Sequence, residues 1–409
     1  MAMATVQCSP ILTNRGFMTV LCLKMRWAIL PFLLLLTACR AAAPTWPSPD
    51  ADSFVQYQQQ SRQQLESHRR FQTPDRQAEI GYNQPREWRP QGQPKGGMLL
   101  IHGLGDSPYS FSDIGPVLAA KGYLVRTLLL PGHGTKPEDL MAVSLEDWHQ
   151  LIQRQTDIMR REVPHVWLGG FSTGANLATK YAVQHHEIAG LILFSPAFSA
   201  RNQLVWLTPW LRPFKDWLRK PDGSRPLQTS VRYMNTPTNG FALFYRTSRQ
   251  AKSQLRHAGH YAKPVMIITV AHDSVLDTAY TLAAFQRYFT HPGSRLYWYG
   301  DLPAGVPPSP RIRVKPDALP RLRISQFSHM GILFAPDNPL YGESAREKFC
   351  WNGQEESALK ACLAGQEVWY SDWGYQERDK VHARLTFNPY WDEQNLAISA
   401  FLSQGTPLE

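Results

Sequence analysis

The sequence predicts an α/β fold, with a mostly parallel central sheet, helices on both of its faces and a cap inserted late in the sheet. Three observations carry this. Short, continuous apolar runs recur from Gly97 onward, as buried strands require. Stretches of helical periodicity alternate with them, and Gly or Pro turns punctuate the boundaries. Strands joined through helices of this length need right-handed crossovers, which give a parallel sheet covered on both sides.

The elements follow in order. Lys24 and Arg26 precede the apolar run Trp27 to Leu36, which is too short to span a bilayer and ends in Leu36-Thr37-Ala38-Cys39. This string resembles the bacterial lipoprotein box. The resemblance implies a signal peptide over 1–38, a diacylglycerol-modified Cys39 and a tether over 39–51. The alternative is an ordinary signal with a chance cysteine, and translation starting at Met18 or Met25 would leave the pattern intact. Arg40 stands where an Asp would favour inner-membrane retention, so the expected place is the bacterial cell envelope, at the outer membrane. A polar, Gln-rich helix is expected from about Asp52 to Arg70, and 72–97 has no clear pattern.

Met98 to Ile101 is the first buried strand, followed by a helix from Phe111 to Ala120 that Lys121-Gly122 closes. Tyr123 to Leu130 is the second strand, ended by Pro131-Gly132. Leu145 to Arg161 reads as helix, His165 to Leu168 as strand, Ala175 to Gln184 as helix and Gly190 to Phe194 as strand. Pro264 to Val270 is the fifth strand and Asp277 to Tyr288 a helix. Arg321 to Gln326 is expected to be the last strand, with Arg295 to Gly300 as the alternative. The core thus runs over 52–198 and 263–409, interrupted by the cap at 199–262. A Pro-rich excursion lies at 301–321, and an aromatic-rich extension of unassigned role at 336–390.

The chain has 409 residues, 43% hydrophobic and 19% charged, which fits a globular protein and excludes a disordered or fibrous one. Three of the positives behind the formal charge of +10 lie in the first 38 residues, and the surplus of +7 over the rest does not by itself argue for a nucleic-acid partner. Of five cysteines, Cys8 and Cys22 lie in the leader and Cys39 would be lipidated. Cys350 and Cys362 remain, and an exported chain is expected to join them in a disulfide, two buried free thiols being the alternative.

Gly170-Phe171-Ser172-Thr173-Gly174 sits between a strand and a helix. Glycines flank the serine where a tight strand-to-helix turn leaves no room for side chains, and the turn exposes the hydroxyl. His102-Gly103-Leu104-Gly105 follows the first strand. A glycine-rich turn there can aim a bare N–H at a developing oxyanion, so the N–H groups of Leu104 and Thr173 are the candidate donors. His102 is expected to orient that loop rather than to act as base.

With these motifs the chain resembles the α/β-hydrolase superfamily, and within it the monoacylglycerol lipase and lysophospholipase group. The resemblance covers about Gly97 to His329 and the last helix, and includes Leu130-Pro131-Gly132-His133-Gly134, which supports the floor of the site in that group. His133 is accordingly expected to be structural. The superfamily order of serine, acid, histidine selects Asp273 after the fifth strand, with Asp277 as the competitor that would cap the next helix. Val270 replaces a glycine often found three residues before the acid. Phe327-Ser328-His329-Met330-Gly331 supplies the histidine, His329, in preference to His291.

The cap holds eleven Lys or Arg against Asp216 and Asp222. Leu207, Trp210, Leu211, Phe214, Trp217 and Leu218 recur at helical spacing, while Arg212, Lys215, Arg219 and Lys220 take the other face. Either this stripe packs as core, or it lids an acyl pocket and meets a membrane. The expected activity is hydrolysis of lipid esters, such as monoacylglycerol or lysophospholipid, through an acyl-enzyme, with no metal or organic cofactor. The alternatives are a short-chain carboxylesterase, a thioesterase or a peptidase of the same fold, or a non-catalytic envelope protein that binds lipid or a partner. The sequence does not give the oligomeric state.

Overall fold

The computed structural model describes residues 51–345 and 348–405. The signal segment, Cys39 and nearly all of the tether lie outside the described residues. Two helices come first, α1 (Phe54–His68) and α2 (Arg76–Asn83). Ser53 and Asp75 cap them by accepting the N–H of Gln56 and Ala78.

Eight strands then form one sheet in the order β1-β3-β2-β4-β5-β6-β7-β8. They are β1 (Glu87–Trp88), β2 (Gly96–Ile101), β3 (Tyr123–Leu128), β4 (Val166–Phe171), β5 (Ile188–Phe194), β6 (Val265–Val270), β7 (Arg295–Tyr299) and β8 (Ile312–Lys315). Only β1 runs antiparallel to its neighbour. Alternate side chains build two separate cores: Leu99, Ile101, Ile267 and Trp298 face one layer, and Met98, Leu100, Ile268 and Tyr299 the other. On the first face lie α4 (Leu145–Arg160), α5 (Thr173–Gln184) and α8 (Thr278–Tyr288). On the second lie α3 (Ile114–Ala120) and the last helix, α10 (Trp391–Gly405). Ser144 and Asp147 start α4 with a reciprocal capping box. This is the α/β-hydrolase fold.

The sheet ends differently from the expectation. Arg321–Gln326 is not a strand. Pro320 lacks an N–H for a ladder, and Arg323 takes a left-handed conformation at the end of the short turn Pro320–Leu322. Ile324 only bridges to Leu319 and Tyr370. The alternative, β7, continues the sheet, and β8 grows from the excursion at 301–321 as an edge strand.

The cap contains α6 (Thr208–Leu211) and the long helix α7 (Thr238–Ala258), with irregular chain between them. Its base is tied down. The buried pair Arg69–Glu79, 2.7 Å apart, sends Arg69 donors to Gly134 O and Ser230 O, and Asn83 also donates to Ser230 O.

The extension 336–390 docks on the core of its own chain. It carries α9 (Glu356–Leu363), the parallel pair β9 (Trp369–Ser371) and β10 (His382–Arg384), and the Cys350–Cys362 disulfide. Phe349, Tyr370, Leu385 and Phe387 are buried with the second core.

Candidate active site

Ser172 stands at the tip of β4, where the chain turns into α5. Its φ of 54° and ψ of −115° place a non-glycine residue in a strained region, which the surroundings enforce. Its N–H donates to Phe194 O at 2.9 Å, and its carbonyl accepts from Ala197 at 3.2 Å. A Cβ on Gly174 would lie 1.9 Å from Ile101 O, and one on Gly170 2.4 Å from Gly174 C. Both glycines are required by close approach of backbone, as the motif implies.

Asp273 and His329 come together from loops 56 residues apart in sequence. His329 Nδ1 lies 2.7 Å from Asp273 Oδ2, and the aspartate side chain is fully buried. The other oxygen, Oδ1, accepts the N–H groups of Val275 and Leu276 at 2.8 and 2.9 Å. The His329 loop is fixed as well: Ser195 Oγ donates to His329 O, and Ser328 Oγ to Leu385 O. The His329 ring packs on Phe171, next to Ser172, with centroids 4.9 Å apart. Asp277 caps α8 by accepting the Tyr280 N–H, and His291 Nδ1 only accepts from Gly293 in its own turn.

The turn after β2 is braced by histidines. His102 Nε2 accepts the N–H of Leu130, and His133 Nε2 accepts that of Gly105, so each ring is neutral at that atom. Burial pushes His133 down to about 4 and His102 well below the usual histidine range. Tyr233, from the cap, completes the brace. Its N–H donates to Gly105 O, its hydroxyl donates to Gly132 O and accepts from Thr135, and its ring stacks on His133. Leu104 rides on this turn, while Thr173 opens α5, where helical N–H groups have no partner within the helix.

Ser172, Thr173, Leu104 and His329 all line one cavity of about 600 Å³ beneath the cap. Its remaining wall is chiefly apolar, with Val205, Leu207, Leu211, Leu218, Phe241 and Phe244. The predicted stripe is therefore divided. Leu207, Leu211 and Leu218 face the cavity, whereas Trp210 and Phe214 point outward, 74% and 89% exposed. It is not packed as core.

Four residues beside the site escaped the sequence reading. Asp106 and Arg232 line the cavity, with Arg232 Nε 3.5 Å from Asp106 Oδ1. Burial pushes the Asp106 carboxyl up, against the pull of Arg232 and His329. Asp372 and Arg384, from the extension, lie behind Asp273. Only Asp106 had a local signal, in the turn that carries Leu104.

A family model described as Hydrolase_4, serine aminopeptidase, S33, matches residues 92–300. A thermostable monoacylglycerol lipase of Bacillus sp. (strain H-257) is 26% identical over 165 residues, 39% of this chain and 64% of that protein. A human monoglyceride lipase is 30% identical over 124 residues, 29% of this chain and 40% of that protein. The chain thus spans less than two thirds of the length of either relative. Among solved structures, a soluble variant of the monoglyceride lipase of Saccharomyces cerevisiae gives a TM-score of 0.46 at 15% identity, covering 80% of this chain and 92% of that one. The monoacylglycerol lipase of Paleococcus ferrophilus gives 0.41 at 18%, covering 52% and 87%.

Proposed function

The chain belongs to the Hydrolase_4 (serine aminopeptidase, S33) family, and from that premise we propose that it is a serine hydrolase of lipid esters, such as monoacylglycerol or lysophospholipid. The observation that carries the reading is that His329, held at Nδ1 by the buried Asp273, shares an apolar, acyl-sized cavity with the strained Ser172. Ser172 Oγ attacks the ester carbonyl while His329 Nε2 takes its proton. Asp273 holds the Nδ1–H tautomer and stabilises the imidazolium. The N–H groups of Leu104 and Thr173 receive the oxyanion. His329 then protonates the departing alkoxide, and water, activated by the same imidazole, releases the acid from Ser172. Burying about ten methylenes of an acyl chain in such a cavity contributes roughly 8 kcal/mol of transfer free energy before the costs of ordering. The cavity's carboxylate, Asp106, is matched by Arg232, so the lining favours an acyl chain over the ammonium group of a peptide.

The same reading places the enzyme in a bacterial envelope, at the outer membrane, tethered through lipidated Cys39. Palmitate labelling that persists in Cys39→Ser would remove that part of the reading.

The test of the activity uses protein lacking residues 1–39 and p-nitrophenyl esters from two to sixteen carbons, with Ser172→Ala as control. The expected result is a rate that rises with acyl length and falls at least ~1000-fold in the variant, together with loss of fluorophosphonate labelling. Preference for aminoacyl naphthylamides would move the assignment to a peptidase. No turnover and no labelling by a folded wild type would sink the hydrolase reading altogether.

A further inference from the structure

The loop that carries Asp273 is gripped on both sides by carboxylates from outside the matched segment 92–300. Just before it, His272 Nδ1 lies 2.7 Å from Asp317 Oδ2. Just after it, the Ser274 N–H donates to Asp372 Oδ2. Asp372 follows β9 and is 3% exposed. Asn352 knits this corner together: its Nδ2 donates to Ser371 Oγ and Asp372 O, and its Oδ1 accepts from Arg384 Nε. Two residues away, Cys350 pins the segment through its disulfide.

We infer that Asp372 is a positioning residue for the Asp273–His329 pair, an inference that rests on the proposed roles of those two residues. Two buried carboxylates side by side repel each other, and burial together with Asp273 pushes the Asp372 carboxyl up. A neutral side chain would hold the Ser274 N–H without that cost. Arg384 offsets it from β10: the half-buried guanidinium is attracted by Asp372 and Asp273. The arrangement does two things. It fixes the N–H adjacent to Asp273, so that Oδ1 stays on Val275 and Leu276 and Oδ2 stays aimed at His329. It also adds negative charge on the side of the pair where an imidazolium must be stabilised.

The charged groups around this centre are known. His272, Asp317 and Asp301 surround the acid loop, and Arg201 Nη1 donates to Asp273 O at 3.1 Å from the cap. Arg384 faces the loop from the extension with Arg225 and Arg232 near it, and Asp106 and Arg232 approach His329 from the cavity. Removing the charge of Asp372 while keeping an acceptor isolates its contribution from theirs.

The experiment follows the histidine signals of the detergent-solubilised full chain by NMR, assigned with His329→Gln, alongside the pH profile of ester hydrolysis. In Asp372→Asn the His329 titration should fall by about half a pH unit or more, because a nearby negative charge favours the imidazolium. The acidic limb of kcat/KM should move with it. Asp372→Ala, which also frees the Ser274 N–H, should lower kcat about tenfold with KM little changed, and Asp372→Glu should recover part of that loss. If the Asn variant leaves both the titration and the limb in place, the inference is overturned, even where its melting temperature drops. Should the wild type hydrolyse no ester, the proposed function falls, yet the His329 titration still decides the role of Asp372.

Discussion

His102 and His133 meet at the floor of the site with ring centroids 4.8 Å apart, each accepting a main-chain N–H through Nε2. A proton added there would break the acceptor and bury a charge. Both rings titrate below the ordinary value of 6.5, His133 at about 4, whereas in the unfolded chain they regain it. The unfolded state therefore binds more protons between these limits, and stability falls as the pH drops through that window. The contribution is fully present above pH 6.5. Thermal melts at pH 7 and pH 5 should show a smaller loss in His133→Asn than in the wild type, though the variant starts lower at pH 7. An equal loss in both would mean that His133 does not titrate in this way. The sequence shows these histidines plainly. Their structural role was legible from their motifs, but not the partners that carry it, Leu130 and Gly105, each 28 residues distant.

At the scale of elements, the strands from β2 to β6 were legible because period-free apolar runs have few other uses in a chain with helices between them. The Ser172 elbow was legible for a related reason, since its glycines answer to local backbone packing. The end of the sheet was legible only in part, with β7 as an alternative and β8 missed. Arg321–Gln326 carries an alternating pattern, but Pro320 and the turn at Arg323 outweigh it. The amphipathic stripe of the cap was seen, yet its periodicity alone did not say which side faced what. With Trp210 and Phe214 exposed beside Lys215, Arg219 and Lys220, the cap should bind anionic vesicles, and raised salt should weaken that binding. Co-sedimentation of protein lacking residues 1–39 checks this. Trp210→Ser with Phe214→Ser should reduce binding about tenfold or more without changing hydrolysis of soluble short-chain esters. Wild-type binding to neutral and anionic vesicles alike would exclude the electrostatic part.

Over the whole molecule, the parts with no local signature are those that join distant segments. Asp372 reaches Ser274 across 98 residues, and Arg69 reaches Ser230 across 161. Neither spacing carries a pattern that a single sequence reveals. Arg69 and Glu79 are each 1% exposed at the side chain, so Glu79→Ala strands a buried guanidinium among carbonyls. Its expected cost is about 3–5 kcal/mol, read as a lower urea midpoint, while Glu79→Gln should lose less. A loss under 1 kcal/mol in Glu79→Ala would show that α1 and α2 are not coupled to global unfolding. The Tyr233 brace has a kinetic consequence. Because it binds the turn after β2 to the cap's anchored base rather than to its exposed apolar tip, displacement of the tip leaves that turn and the histidines beneath it assembled. A short, soluble ester should then follow simple saturation kinetics, with no jump in initial rate as its concentration crosses the solubility limit. Any interfacial activation would be confined to substrates long enough to need the tip out of the way.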